Sequence, residues 1–169
     1  MTVTRTIVNA RYDDTVRVTE KTVDTDAPMV AQGQQAALAD GTEWKFDGTS
    51  GDAVTKSFKK RVTMSTGAAT LDLTALVDAT LSSNIDMTGL KLKMLRLKVP
   101  STNANSVTVA PGASNGYTGW VGSGGVTLSP KDSFSKVCHG GIAVDGTHKT
   151  IDITGTGSQV IDVVMLFGT

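Results

Sequence analysis

Cys138-His139 is the one place in this chain where a thiol and an imidazole stand side by side, the pair from which a nucleophile and its general base are made. Adjacent residues of an extended strand point to opposite faces, so the two cannot share a proton there. The pair reads as a small buried thiol beside a surface imidazole. His148 is the only other histidine, and a metal site needs three or four ligands of the His, Cys or carboxylate type at workable spacing. Gly122-Ser123-Gly124-Gly125 is glycine-rich but lacks the following Lys-Ser/Thr and helix of a phosphate cradle. No residue pattern here specifies a reaction. The expectation is a non-enzymatic protein with no catalytic residue, cofactor or metal.

Two groups of residues are better suited to binding than to catalysis. Tyr117 and Trp120 lie in a polar, glycine-dense loop, where aromatic rings either stack on a sugar or anchor a protein partner, or else cap the end of a core. The second group is a row of cations, Lys91, Lys93, Arg96 and Lys98, alternating with apolar residues between Leu90 and Val99. Leu90, Leu92 and Met94 share one face at the two-residue period of a strand, and one extra residue near Met94-Leu95 brings Leu95, Leu97 and Val99 onto it as well. The cations then line the other face about 6–7 Å apart and repel unless anions sit opposite. Asp152 or Asp162 in the same sheet, the acidic residues 13–52 of a neighbouring subunit, or an acidic protein surface could supply them. No aromatics interleave with the row, so nucleic acid is not the expected partner.

These elements need a β framework to hold them. The chain of 169 residues fits one domain with one core. Thr, Ser and Gly are abundant and long helix-forming runs are scarce. Lys+Arg and Asp+Glu number 16 each, so no global charge argues for nucleic acid or a membrane surface. The charges are nevertheless segregated: residues 13–52 hold nine acidic and three basic residues, and residues 56–98 hold eight basic and three acidic. Cys138 is alone, which excludes an internal disulfide. The start, Met-Thr-Val-Thr-Arg, has no apolar signal core, and no window approaches the ~18–20 apolar residues of a membrane span. Synthesis and assembly in a cytoplasm are expected.

Along the chain, residues 2–9 and 15–20 read as short strands around a turn at Tyr12-Asp13-Asp14. Residues 24–40 make either a long loop or a short helix over 30–38 ended by Asp40-Gly41. Trp44 and Phe46 form a hairpin with a long strand over 53–64, through the turn at Asp47-Gly48. A strand at 70–73 and a helical turn over 74–82 follow. Pro100 closes the cationic strand, because it has no N–H to give the ladder. Val107 and Val109 mark the next strand; strands near 126–128 and 134–137 are separated by a turn at Ser129-Pro130. Asp145-Gly146 suggests a hairpin that pairs Ile142 and Val144 with Ile151 and Ile153. Residues 160–167 are apolar on both faces apart from Asp162, which suits a central or intersubunit strand and favours a homotrimer. The fold class is therefore all-β, an antiparallel, jelly-roll-like β-sandwich with at most one or two short helices, in a single domain over 1–169. Residues 1–60 are a candidate N-terminal arm or hairpin region.

The C-terminal half, residues 90–169, also resembles small β-structured virion proteins of tailed bacteriophages. The likeness is carried by Leu90 to Val99, then Asn105-Ser-Val-Thr-Val-Ala-Pro-Gly-Ala-Ser-Asn-Gly-Tyr, Gly125-Val-Thr-Leu-Ser-Pro-Lys-Asp-Ser-Phe, Lys149-Thr-Ile-Asp-Ile-Thr-Gly-Thr and the closing Val-Val-Met-Leu-Phe-Gly. The resemblance implies a cement or decoration protein on the virion, bound to the major capsid protein on the outside of an icosahedral head, commonly as a jelly-roll trimer without an active site. The alternative is a tail-fibre or receptor-binding head domain whose Tyr117 and Trp120 touch a host-surface glycan.

Overall fold

Alternation of apolar and polar residues governs the C-terminal two thirds of the chain. The computed structural model describes residues 54–77, 84–138 and 141–169, and before them only the backbone pairing of four short strands. Those four are β1 (Arg11–Tyr12), β2 (Arg17–Thr19), β3 (Gln35–Ala37) and β4 (Trp44–Lys45); β1 pairs with β4 and β2 with β3. Then come β5 (Val54–Thr63), β6 (Ala68–Asp72), β7 (Leu76–Val77), β8 (Asn84–Ile85), β9 (Lys91–Lys98), β10 (Val107–Pro111), β11 (Val126–Leu128), β12 (Ser133–Val137), β13 (Thr150–Thr154) and β14 (Val160–Gly168). No helix occurs among the described residues.

Two four-stranded sheets make the sandwich, with strand orders β12-β9-β14-β5 and β11-β10-β13-β6, every pairing antiparallel. The chain changes sheet at β5 to β6, β9 to β10, β11 to β12 and β13 to β14, and the members of each such pair hold the same rank in their two sheets. That strand order is the double Greek key of a jelly roll.

One core lies between the sheets. From the first sheet Phe58, Leu95, Leu97, Ile161, Val163, Met165 and Phe167 point inward, and from the second Leu71, Val107, Val109, Ile151 and Ile153 meet them. Burying an aliphatic or aromatic side chain of this size contributes about 1.5–3 kcal/mol, so this interleaving is the main source of the fold's stability. β14 has the central place its apolar sequence predicts, with β5 on one side and β9 on the other.

The expected bulge in the cationic strand is present, but at Lys93. The β14–β9 register runs Leu166 to Met94 and then Phe167 to Leu92, which makes Lys93 the extra residue. Leu92 and Leu95 both face the core, whereas Met94 turns outward and packs with Val54, Val137, Val164 and Leu166. The single apolar face that would include Met94 is therefore not formed.

Other local expectations change for similar reasons of competing partners. Trp44–Lys45 pairs with Arg11–Tyr12 instead of making a hairpin with β5, which pairs with β14. Residues 35–37 are a strand, not part of a helix, and Tyr12 lies in a strand, not a turn. Residues 73–75 turn into β7, which pairs with β8 where a helical turn was expected. β13 is flanked on both sides by β10 and β6, so Ile151 and Ile153 have no edge left for Ile142 and Val144. Of the candidate N-terminal arm, residues 54–60 belong to β5; the strand expected over 15–20 is present at Arg17–Thr19, and the strand reading over 2–9 lies outside the described residues.

Candidate functional site: a cationic sheet face

The outward side chains of the β12-β9-β14-β5 sheet form rows fixed by the register. Arg61, Asp162, Lys98 and Ser133 stand opposite one another in one row, and Lys59, Val164, Arg96 and Ser135 in the next. A third row, Ser57, Leu166, Met94 and Val137, is largely apolar. Lys59, Arg61, Arg96 and Lys98 are all exposed, and directly opposite residues of antiparallel strands lie about 4.5–5.5 Å apart at Cβ. The face thus runs from cations at one end to half-buried apolar side chains at the other.

Asp162 is the one carboxylate in these four strands. Its oxygens accept hydrogen bonds from Arg61 Nε at 2.7 Å and Nη2 at 2.9 Å, the bidentate geometry that suits a planar guanidinium. The Arg61 hydrogen bonds hold the carboxyl below its ordinary range against a smaller opposing effect of burial, with Lys98 and Lys59 adding to the field. Among the described residues, these rows hold four cations and one carboxylate.

Beside this row, where β9 runs into the Pro100-Ser101 turn, a cleft of about 370 Å³ opens between Arg61, Lys98, Val99, Ser101, Lys131 and Asp162. Lys131 is placed by its backbone: its N–H donates to the Val99 carbonyl at 3.0 Å while Asp132 N–H donates to Ser129 O, also at 3.0 Å. Its φ of 78° is uncommon for a residue with a long side chain.

The sequence-predicted row is only partly assembled. Arg96 and Lys98 lie on the face as expected; Lys93, in the bulge, is buried at 3% exposure; Lys91 is exposed at the far end of the strand, opposite Gly168. Lys59 and Arg61 were missed, although Ser57, Lys59, Arg61 and Thr63 alternate with Phe58 and Val62 in the sequence. Asp162 joins the row, whereas Asp152 sits in the other sheet and accepts from Thr70 Oγ1 and the Ala113 N–H. That second sheet presents a neutral outer row, with Thr108 opposite both Thr127 and Thr154. The two faces of the sandwich are chemically unlike.

Tyr117 and Trp120 are not surface residues, at 0% and 1% exposure. The Tyr117 hydroxyl donates to the Ile142 carbonyl at 2.5 Å and accepts the Leu92 N–H at 3.1 Å; burial pushes its pKa up to about 12. Trp120 meets Phe134 edge-on, with ring centroids 6.2 Å apart. They cap the core because the glycines around them let the loop fold back over the sheet ends. Neither ring offers a face to a sugar.

Cys138 is buried, and burial raises its thiol pKa, the wrong direction for a nucleophile. His139 lies outside the described residues. His148 is held in an exposed turn by Asp145, whose carboxylate accepts the Thr147 and His148 amides and the Thr147 hydroxyl and is held below its usual range by them. Among the described residues, no group of three His, Cys, Asp or Glu is placed to hold a metal, and no helix is long and apolar enough to cross a membrane. Comparison with protein-family models and with curated proteins finds no match.

Proposed function

We propose that this chain is a non-enzymatic virion structural protein that binds and stabilises the outer surface of an icosahedral phage capsid. The observation that carries this reading is the asymmetry of the sandwich: one outer face holds Lys59, Arg61, Arg96 and Lys98 around Asp162, the other a threonine row with Asp152 and Asp72 beside it. A rigid sheet face with fixed charges suits an acidic protein surface, where electrostatic complementarity sets orientation and partner choice. The jelly-roll strand order agrees with the kind of virion protein that residues 90–169 resemble. Three copies would place the apolar cluster of Met94, Val137, Val164 and Leu166 near a neighbour, which is the basis for a homotrimer.

Recognition of a host glycan depended on Tyr117 and Trp120, and their burial removes its support. Fractionation of virions separates the two readings, since a decoration protein copurifies with full heads and a receptor-binding domain with tails. Recovery with tails alone would overturn the proposal.

A further inference from the structure

The cleft at the end of the cationic face has a composition that suits an anion. Three cations, Arg61, Lys98 and Lys131, line it with Ser101, and Asp162 occupies one wall. Asp162 takes Arg61 Nε and Nη2, leaving Nη1 outside that pair. Lys98 stands opposite Asp162 in the ladder, so its ammonium group is drawn to the same wall. Lys131 enters from the Ser129 to Asp132 turn, whose one acidic side chain, Asp132, accepts the Ser129 N–H at 2.9 Å. The arrangement is an excess of two positive charges around a concave opening, with the guanidinium held in one orientation by its own carboxylate.

We propose that this cleft is a carboxylate-binding site that receives an Asp or Glu side chain of the protein partner. A carboxylate carries one charge and two acceptor oxygens, and suits Arg61 Nη1 together with one or both lysines. Inorganic phosphate draws on the same three cations and is the competing anion of the test. The volume of about 370 Å³ accommodates a side chain and adjoining backbone, not a folded element. Asp162 is a positioning residue: it orients Arg61 and touches no partner. This inference deepens the capsid-binding reading and rests on it for the partner's identity, while affinity of the cleft for carboxylates does not depend on it.

The test titrates the 169-residue protein at low salt with a blocked Asp-Glu dipeptide and, separately, with inorganic phosphate, following backbone amide shifts at Ser101 and Lys131. Saturable shifts with the dipeptide and binding about tenfold weaker in a K98Q/K131Q variant are expected. A K59Q/R96Q variant, altered on the same face outside the cleft, should weaken binding less than K98Q/K131Q, because those charges act on the ligand only through their field and do not line the cleft. Circular dichroism confirms that both variants fold. Absence of saturable shifts, tighter binding of phosphate, or equal weakening in both variants would overturn the site. Binding to undecorated heads separates the two levels: loss of dipeptide binding with unchanged head binding in K98Q/K131Q removes the cleft's role and leaves the capsid reading. Failure of the unmodified protein to bind heads removes the capsid reading and leaves the carboxylate site.

Discussion

Arg61 and Asp162 face each other as a register pair of β5 and β14, and the two hydrogen bonds between them place the one carboxylate of the sheet at the centre of its cations. The pair is exposed on the Arg61 side, with side-chain exposures of 63% and 34%. Exposed pairs contribute little to stability. Its effect is to fix the orientation of a guanidinium on an exposed sheet face.

Replacing Asp162 by Asn should alter the acid limb of stability. The folded-state pKa of Asp162 is depressed, first by its Arg61 hydrogen bonds, so its contribution is present above the unfolded-state value near 4 and is lost as pH falls through the lower folded value. Urea midpoints at pH 7 and pH 3 should therefore differ less in D162N than in the unmodified protein. Only part of the difference disappears, because Asp72, Asp86 and Asp145 are also depressed. An unchanged difference would show that the ion pair has no part in acid sensitivity.

Tyr117→Phe should destabilise the fold by about 1–3 kcal/mol, the cost of leaving buried backbone groups at Leu92 and Ile142 without the hydroxyl. The raised phenol pKa has the opposite sign to the Asp162 case. Its stabilising contribution is complete below the unfolded value near 10 and is lost as pH rises towards about 12. Alkaline unfolding followed by circular dichroism should accordingly occur at the same pH as the buried tyrosinate absorbance change. Tyrosinate absorbance rising fully, with the fold intact, near pH 10 would contradict this burial.

Legibility in the sequence follows the strength of the local pattern. β9 and β14 could be read because Leu95 and Leu97, and Ile161, Val163 and Met165, repeat at the strand period, which places them together on one buried face. The bulge was legible in kind but not in place: Lys-Met-Leu demands one extra residue, and only the facing residues Leu166 and Phe167 decide that it is Lys93. Tyr117 and Trp120 were ambiguous because a loop's composition records its turns, not the surface it folds onto. Arg61 belonged to a strand that could be read, yet its pairing with Asp162, 101 residues away, is a property of sheet order alone.

Two glycines in the same loop should respond differently to alanine. Gly125 has φ +70° and an added Cβ would lie 2.7 Å from the Val109 carbonyl oxygen; Gly122 has φ +67° with open space around it. Gly122→Ala should cost about 1–2 kcal/mol, for the left-handed backbone alone. Gly125→Ala adds a backbone clash where β10 meets β11 and should cost more. Equal melting temperatures of the two variants would contradict the loop path that carries Trp120 into the core.

The central claim is that the outer face of the β12-β9-β14-β5 sheet docks on an acidic capsid surface, and the most direct measurement is binding of the purified protein to undecorated heads as a function of salt. A variant with Lys59, Arg96 and Lys98 all replaced by Gln, shown by circular dichroism to retain the fold, is compared with the unmodified chain. The unmodified protein should bind, more weakly at moderate than at low salt, because exposed charges are screened over a Debye length of about 8–10 Å. The triple variant should bind at least about tenfold more weakly and lose most of that salt dependence. Equal binding of both proteins at both salt concentrations, or no binding of the unmodified protein at either, would contradict the account.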